Sequence, residues 1–211
     1  MKKVAVSIHA IDEFNPDIIK QLKGLDYIHV DVMDGKFVDN VNRNLNVFKK
    51  IKEISDLPII AHLMVVNPDE YIDKIIEFID VFLFHYEIDG NINAIIKEIK
   101  GWSKKVGIAI NPDTEISEIV PYLDDLDMIL VMSVYPGWSG QEFIPETIEK
   151  VDQLAKYKEI YNFEIDVDGG VNLENSKNLI NADILSSAST ILKAKDPNLA
   201  IHSLKFTEQY V

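Results

Sequence analysis

The chain has 211 residues, a net charge of −14 at pH 7 and no cysteine, which excludes disulfides and thiolate chemistry. With 47% hydrophobic residues it has the composition of a folded protein, and its acidic balance argues against nucleic acid or an anionic membrane as a partner. It shows neither a signal-peptide pattern nor an apolar stretch near the ~20 residues of a membrane-spanning helix, so we expect a cytoplasmic protein without membrane contact.

Short apolar runs alternate with longer amphipathic stretches along the whole chain. The runs are nearly continuous in apolar residues, which is typical of parallel strands covered on both faces. The predicted strands are Val4–Ile8, Tyr27–Val32, Pro58–Met64, Val81–His85, Val106–Ile110, Met128–Ser133, Phe163–Val167 and Ile184–Ser187.

Helical periodicity fills the intervals between these strands. Four Asx-Pro pairs offer a capping side chain before a proline suited to the first turn: Asn15-Pro16, Asn67-Pro68, Asn111-Pro112 and Asp196-Pro197. The predicted helices are Asp17–Leu22, Leu45–Ile54, Tyr71–Ile79, Ile92–Ile99, Ile116–Leu123, Ile144–Tyr157, Asn175–Ile180 and Asn198–Phe206.

Eight strands alternating with eight helices predict an α/β fold of the (β/α)8 TIM-barrel type. The competing fold is a doubly wound open sheet, which usually has fewer strands and often a glycine-rich first crossover. The segment after the first strand, His9-Ala10-Ile11-Asp12, has no glycine. With no linker or break in composition, we expect residues 1–211 to form a single barrel domain.

Reactive side chains concentrate at the carboxyl ends of the predicted strands, where barrel enzymes have their active sites. Four of the five histidines lie there: His9, His29, His62 and His85. The fifth, His202, falls in the last helix and is expected at the surface. Core histidines would not be expected to cluster in this way.

Side chains at the ends of three predicted strands predict a metal site. Side chains alternate along a strand, so His29 and Asp31 project from the same face. With His62 and Asp168 they form a set of two imidazoles and two carboxylates, which suits one divalent ion of Zn, Mn, Fe or Co. A simple ion pair is the alternative. His85 is either a partner behind a ligand or a core histidine, and the role of His9 stays open.

Two further groups of residues lie at the same strand ends. Met33, Met64 and Met132 either fill the barrel or form a soft lining for a delocalised intermediate. Three successive loops after the last strands can offer backbone N–H groups to a phosphate. The residues we single out in these loops are Gly137, Ser139, Gly140, Gly169, Gly170, Ala188 and Ser189.

Over nearly its whole length the sequence resembles the ribulose-phosphate 3-epimerase family. Two elements in this order are specific to it: His29-Val30-Asp31-Val32-Met33-Asp34-Gly35 and Asp166-Val167-Asp168-Gly169-Gly170. Further segments of the resemblance are Val6-Ser7-Ile8, Ala61-His62-Leu63-Met64-Val65, Lys105–Pro112 and Val131–Gly137 with Gly140-Gln141-Glu142-Phe143.

The resemblance implies a barrel of the ribulose-phosphate-binding type and a divalent metal held by His29, Asp31, His62 and Asp168. It also implies an isomerase of the pentose phosphate pathway that inverts C3 of a phosphorylated ketose, D-ribulose 5-phosphate to D-xylulose 5-phosphate, and acts as a homo-oligomer. Asp31 and Asp168 would be the paired acid and base, because inversion needs one proton-transfer group on each face. Ser7 would be a substrate-binding hydroxyl, and the three methionines would line the intermediate.

The sequence departs from the family pattern around the phosphate loops. The family's Pro-Gly-Phe-Gly-Gly-Gln reads Pro136–Gln141 here, with Trp138 and Ser139, and its Gly-Ser after the eighth strand reads Ala188-Ser189. His9 stands where an apolar residue is usual. The alternatives are therefore a six-carbon (allulose-6-phosphate) 3-epimerase and a catalytically silent member. A barrel lyase is disfavoured, because no predicted strand end supplies an inward lysine.

Overall fold

The computed structural model describes residues 1–9 and 15–207 and confirms the predicted barrel. The glycine-free segment after the first strand, residues 10–14, lies outside the described residues. Eight strands run parallel, and a ninth, very short strand is attached to them. The strands are β1 (Lys3–His9), β2 (Tyr27–Asp34), β3 (Val41–Asn42), β4 (Ile59–Met64), β5 (Val81–His85), β6 (Lys105–Ile110), β7 (Met128–Met132), β8 (Glu164–Asp168) and β9 (Ile184–Ser187).

The barrel closes because β1 pairs with both β2 and β9. Around it the strands follow chain order, and β2 pairs directly with β4 because β3 leaves the ring. The two-residue β3 runs antiparallel on β2, with Met33 opposite Asn42. Closure of the parallel sheet rules out the doubly wound open sheet.

Helices lie between successive strands. The α-helices are α1 (Asp17–Gln21), α2 (Asn46–Lys52), α3 (Ile72–Ile75), α4 (Ile92–Gly101), α5 (Ile116–Ile119), α6 (Thr147–Tyr157), α7 (Ser189–Leu192) and α8 (Pro197–Lys205). Three segments are 3₁₀ helices: Pro68–Tyr71, Val120–Asp125 and Asn175–Asn178. No helix in the described part of the chain is long and apolar enough to cross a membrane.

The predicted strands agree with the structure to within two residues, whereas the helices agree less well. The predicted helix at Asn175–Ile180 is a short 3₁₀ turn, and neither β3 nor α7 was predicted, because elements of two to four residues have no detectable periodicity. The capping prediction is right at Asp196, which accepts from the backbone of Asn198 and Leu199.

The capping prediction is wrong at Asn111-Pro112. The helix begins only at Ile116, where Glu115 and Glu118 form a capping box. At Asn67 the side chain makes no capping bond and instead donates to Glu70. The Asx-Pro pair at Asn111 therefore marks a turn, whereas the pair at Asn67 begins the 3₁₀ helix Pro68–Tyr71 without a side-chain cap.

Two apolar layers hold the structure together. The larger layer lies between strands and helices and includes the fully buried Phe48, Phe82 and Phe84. The smaller fills the barrel and includes Leu83 and Leu130. Because this interior is packed, chemistry is confined to the mouth of the barrel. That residues 1–211 form one domain stays a prediction.

Candidate active site

Strand register brings the candidate ligands together at one side of the barrel mouth. Asp31 on β2 lies beside His62 on β4, and Ser7 on β1 lies beside His29 on β2. Asp168 ends β8 and lies beside Ser186 of β9. Alternation along β2 turns His29 and Asp31 to the same side, as the sequence predicted.

The four predicted ligands offer donor atoms that all lie within 4.8 Å of one another. Asp31 Oδ1 is 2.8 Å from His62 Nδ1 and 3.2 Å from His29 Nε2, and His29 Nε2 is 3.6 Å from Asp168 Oδ2. A tetrahedral ion with ligand bonds of about 2.1 Å separates its ligand atoms by about 3.4 Å. Two imidazole nitrogens and two carboxylate oxygens at these spacings fit a divalent transition metal or zinc.

The field within this cluster favours a positive charge. Burial would lower the pKa of His29, but the carboxylates of Asp31 and Asp166 hold it well above its usual range. Burial would likewise raise the pKa of Asp31, yet His29 and His62 hold it well below its usual range. The carboxylates thus create a negative electrostatic potential that a bound cation would neutralise.

The other two candidate ligand side chains respond differently to burial. Burial lowers the pKa of His62 to about 4, so its imidazole is neutral near pH 7. Burial raises the pKa of Asp168 to about 7, and the negative charges of Asp31 and Asp166 act in the same direction. The cluster therefore combines an ionised carboxylate with a carboxyl that gains and loses a proton near neutrality.

A buried chain behind His29 determines which of its nitrogens faces the cluster. Ser186 donates its hydroxyl hydrogen to Asp166 Oδ2 at 2.9 Å, and its oxygen lies 3.1 Å from His29 Nδ1. That oxygen can accept from Nδ1–H, so His29 directs Nε2 toward the other ligands. The role of Ser186 was not predicted; a serine within an apolar strand was the available signal.

The cluster opens into a cavity of about 640 Å³ at the barrel mouth. Asp31 and Asp168 line it, whereas His29 and His62 lie behind its wall and are fully buried. Ser7 donates to Asp31 Oδ2 at 2.9 Å. Every residue predicted to bind substrate lines the cavity: Ser7, Met33, Met64, Met132, Gly137, Ser139, Gly140, Gly169, Gly170, Ala188 and Ser189.

In the loops on the far side of the cavity, the residues that stand in place of family glycines do not need the backbone conformation that favours glycine. Among the described residues Ser103 is the single non-glycine with a positive φ, so Ser139 and Ala188 both have a negative φ that any residue adopts. Gly169 has a φ of +117°, and a Cβ there would lie 2.6 Å from Val134. Lys193, which was not predicted, adds a cationic side chain to this wall.

The remaining histidines occupy three different settings. His85 is fully buried behind His62, with the two Nε2 atoms 2.9 Å apart. His9 lies at the cavity mouth, bonded to Ser139 and Asn42. His202 is exposed on α8, as predicted.

A closed (β/α)8 barrel whose carboxyl-terminal mouth carries ligand-type side chains and an open cavity places this protein among the TIM-barrel enzymes. Comparison with protein families narrows the class. Residues 3–192 match the model of the "Ribulose-phosphate 3 epimerase family". The chain belongs to the ribulose-phosphate 3-epimerase family, a family of isomerases.

Individual relatives agree with this assignment. The chain is 36% identical to a ribulose-phosphate 3-epimerase of Methanocaldococcus jannaschii, with 97% of this chain and 90% of the relative aligned. It is 35% identical to the enzyme of the same name from Bacillus subtilis, over 86% of this chain and 87% of the relative. A chloroplastic ribulose-5-phosphate-3-epimerase of Arabidopsis thaliana is 36% identical over 90% of this chain and 70% of the relative.

Solved structures with a similar fold are more distant in sequence. KGPDC from Streptococcus mutans has a TM-score of 0.71 at 13% identity, covering 100% of this chain and 98% of that chain. The 3-hexulose-6-phosphate synthase from Salmonella typhimurium has a TM-score of 0.71 at 17% identity, covering 99% of both chains. Likenesses at such low identity describe the fold alone.

Proposed function

We propose that this protein is a metal-dependent 3-epimerase that interconverts D-ribulose 5-phosphate and D-xylulose 5-phosphate. The observation that carries the proposal is the placement of Asp31 and Asp168. Both line the open cavity and both belong to the four-residue donor cluster, yet they come from different strands, β2 and β8. Two carboxylates of separate origin at one cavity can flank a substrate carbon from two sides.

The donor set of His29, Asp31, His62 and Asp168 would hold one divalent ion, of Zn, Mn, Fe or Co. When bound, the ion supplies Lewis-acid polarisation of the substrate carbonyl and so favours loss of the neighbouring proton. The family assignment does not identify which of the four metals is bound.

In the proposed reaction the protein moves one proton off C3 and another onto it. One aspartate removes the C3 hydrogen from one face of the ketose, which leaves an enediolate, and the other delivers a proton to the opposite face. Asp31 and Asp168 exchange these roles in the reverse direction. Ser7, which donates to Asp31, would orient that carboxylate and contact the substrate.

Two parts of the cavity wall would bind different parts of the substrate. Met33, Met64 and Met132 would lie against the planar intermediate, where polarizable thioethers make favourable contacts. Backbone N–H groups of the loops at Gly137–Gly140, Gly169-Gly170 and Ala188-Ser189 would bind the phosphate, and the ammonium of Lys193 would add positive charge in a protein whose net charge is −14.

The proposal is tested by metal analysis of the purified protein and by turnover of ribulose 5-phosphate before and after chelation. We expect bound metal, loss of turnover on chelation and recovery on addition of one of the four ions. Turnover that survives complete removal of the metal would contradict metal dependence.

The two-base step is tested by Asp168→Asn, assayed at saturating metal with the bound ion quantified. We expect epimerisation to fall about 10³-fold. Asp183→Asn is the matched control. Asp183 immediately precedes β9, at the amino-terminal end of that strand and opposite the end that lies at the cavity, and it pairs with Lys158. Equal rates of solvent-hydrogen exchange at C3 from both epimers in the Asp168 variant would refute the two-base mechanism.

Substrate length is tested by comparing turnover of the five-carbon and six-carbon ketose phosphates. We expect the higher kcat/KM for ribulose 5-phosphate. A preference for allulose 6-phosphate would contradict the proposed substrate but not the proposed mechanism. Failure on both would favour a catalytically silent member. A homo-oligomer is also a proposal and rests on the family resemblance. A cytoplasmic location is a proposal as well, and the bacterial and archaeal relatives support it.

A further inference from the structure

A second chain of hydrogen bonds runs outward from the donor cluster, behind His62. His62 Nε2 lies 2.9 Å from His85 Nε2, and His85 Nδ1 lies 3.1 Å from Glu87 Oε2. Both imidazoles are fully buried, and the ring of Phe37 packs on His85 at 4.7 Å between centroids. The chain thus joins two carboxylates, Asp31 at the inner end and Glu87 at the outer end.

The outer end of this chain has an unambiguous polarity. Glu87 Oε1 accepts the backbone N–H of Asn111 at 2.8 Å and the hydroxyl hydrogen of Thr114. The other oxygen, Oε2, faces His85, and an ionised carboxylate can only accept. His85 must therefore carry its hydrogen on Nδ1.

The positions of the remaining hydrogens follow from this end. A neutral His85 with its hydrogen on Nδ1 presents a lone pair on Nε2, so the hydrogen between the two rings belongs to His62 Nε2. A neutral His62 then has a lone pair on Nδ1, the nitrogen that lies 2.8 Å from Asp31 Oδ1. Two acceptors would face each other there at hydrogen-bond distance.

With both imidazoles neutral, that conflict disappears when a cation lies between His62 Nδ1 and Asp31. Moving the hydrogen of His62 to Nδ1 does not help, because two Nε2 lone pairs would then face each other at 2.9 Å. A cation bound by both Nδ1 and Asp31 leaves every other position of the chain with one donor and one acceptor. The arrangement is complete with a metal ion at the inner end.

We propose that His85 and Glu87 are positioning residues which hold the hydrogen of His62 on Nε2 and so present Nδ1 as a metal ligand. The proposal rests on the metal site of the proposed function. Neither residue touches the cavity or the substrate, since neither lines its wall. They act through His62, by selecting one of its two neutral tautomers.

The discriminating variant is Glu87→Gln. The amide oxygen of the new side chain is needed by the N–H of Asn111 and the hydroxyl of Thr114, which turns its NH₂ group toward His85 Nδ1. His85 must then accept on Nδ1 and donate from Nε2, which places the hydrogen of His62 on Nδ1, against the metal. We expect the affinity for Zn²⁺ or Co²⁺ to fall at least about tenfold.

Thr114→Val is the matched control, because it removes a hydrogen bond to Glu87 without changing the polarity toward His85. We expect its metal affinity to stay within about twofold of that of the unmodified protein, since the second Glu87 oxygen is untouched. A role of Glu87 in merely bracing the loop at residues 111–114 predicts similar losses in both variants. Equal losses, or an unchanged affinity in Glu87→Gln, would overturn the proposal.

A spectroscopic measurement tests the proposal in the unmodified protein and needs no variant to fold. In the Zn²⁺-loaded protein, ¹⁵N NMR of the imidazoles should show hydrogens on His62 Nε2 and His85 Nδ1. In Glu87→Gln the hydrogen of His85 should move to Nε2. A hydrogen on His85 Nε2 in the unmodified protein would overturn the proposal even if the enzyme is an active epimerase. Absence of any metal binding by the unmodified protein would instead overturn the proposed function.

Discussion

His9 Nε2 lies 2.7 Å from Ser139 Oγ, across the mouth of the cavity. The amide nitrogen of Asn42 donates to His9 Nδ1 at 2.8 Å, so the hydrogen on Nε2 points at the serine oxygen. The bridge joins the end of β1, the short strand β3 and the loop after β7. His9 and Ser139 both depart from the family pattern, and the structure brings these two departures into contact.

Breaking this bridge is expected to weaken substrate binding more than proton transfer. In His9→Leu the loop at residues 136–141 loses a bond of about 1 kcal/mol, so KM for the ketose phosphate should rise about fivefold. The value of kcat should change less, because the His9 side chain bonds to Ser139 and Asn42 rather than to a carboxylate of the donor cluster. Steady-state kinetics measures both constants.

The double variant of His9→Leu with Ser139→Ala distinguishes the bridge from separate effects. If the two residues act through one bond, the KM of the double variant should equal that of the stronger single variant. Multiplicative effects would show that His9 and Ser139 act independently.

Metal binding should stabilise the folded protein, because the donor cluster exists only when β2, β4 and β8 are assembled. A free metal concentration of 100 times Kd should add about 2.7 kcal/mol to the free energy of unfolding. Thermal denaturation with and without Zn²⁺ measures this increment. His62→Asn should abolish most of it, whereas the exposed His202→Asn should retain it; loss of the increment in both would point to nonspecific binding.

Gly169 is expected to tolerate no side chain. In Gly169→Ala the new Cβ would lie 2.6 Å from Val134 Cγ2 and 2.9 Å from the Val134 backbone nitrogen, at a φ of +117°. We expect a loss of about 2 kcal/mol in unfolding free energy, measured by urea denaturation. Gly101→Ala is the control: it ends α4, a Cβ there would meet no atom within 4 Å, and the stability should be unchanged or slightly higher.

Asp34 should contribute stability that depends on pH. Burial opposes its ionisation, but the backbone N–H groups of Val66, Phe37 and Lys36 donate to it and hold its pKa below the usual range. A folded-state pKa below the unfolded value gives stability that is present above the unfolded pKa of about 3.9 and is lost as the pH falls through the folded pKa.

The variant Asp34→Asn tests this dependence. Its amide can still accept from two of the three N–H groups but turns an NH₂ toward the third, so we expect a loss of about 1 kcal/mol at pH 7. Urea denaturation between pH 7 and pH 3 measures the free energy of unfolding of both proteins. The difference between the variant and the unmodified protein should become smaller only below about pH 4. A difference that is independent of pH would mean that the charge of Asp34 contributes nothing.

Much of the fold could be read from the chain because parallel barrel strands are buried on both faces and so appear as continuous apolar runs. Their ends located His29, Asp31, His62 and Asp168, since polar residues in such runs are rare without a reason. Helix bounds were less predictable. Asn111-Pro112 resembles a helix start locally. The backbone N–H of Asn111 instead donates to Glu87, and the helix begins later, at Ile116.

The sequence by itself thus determined the barrel, the ligand types and the cavity wall, because these depend on residue chemistry at strand ends. Only the tertiary structure decided which nitrogen of each histidine faces the cluster. That choice depends on Ser186, 157 residues from His29, and on His85, which lies behind His62 on the next strand. The pairing of His9 with Ser139 was equally invisible, since 130 residues separate them. Hydrogen positions and cross-loop contacts are set by neighbours in space, and a sequence shows only neighbours along the chain.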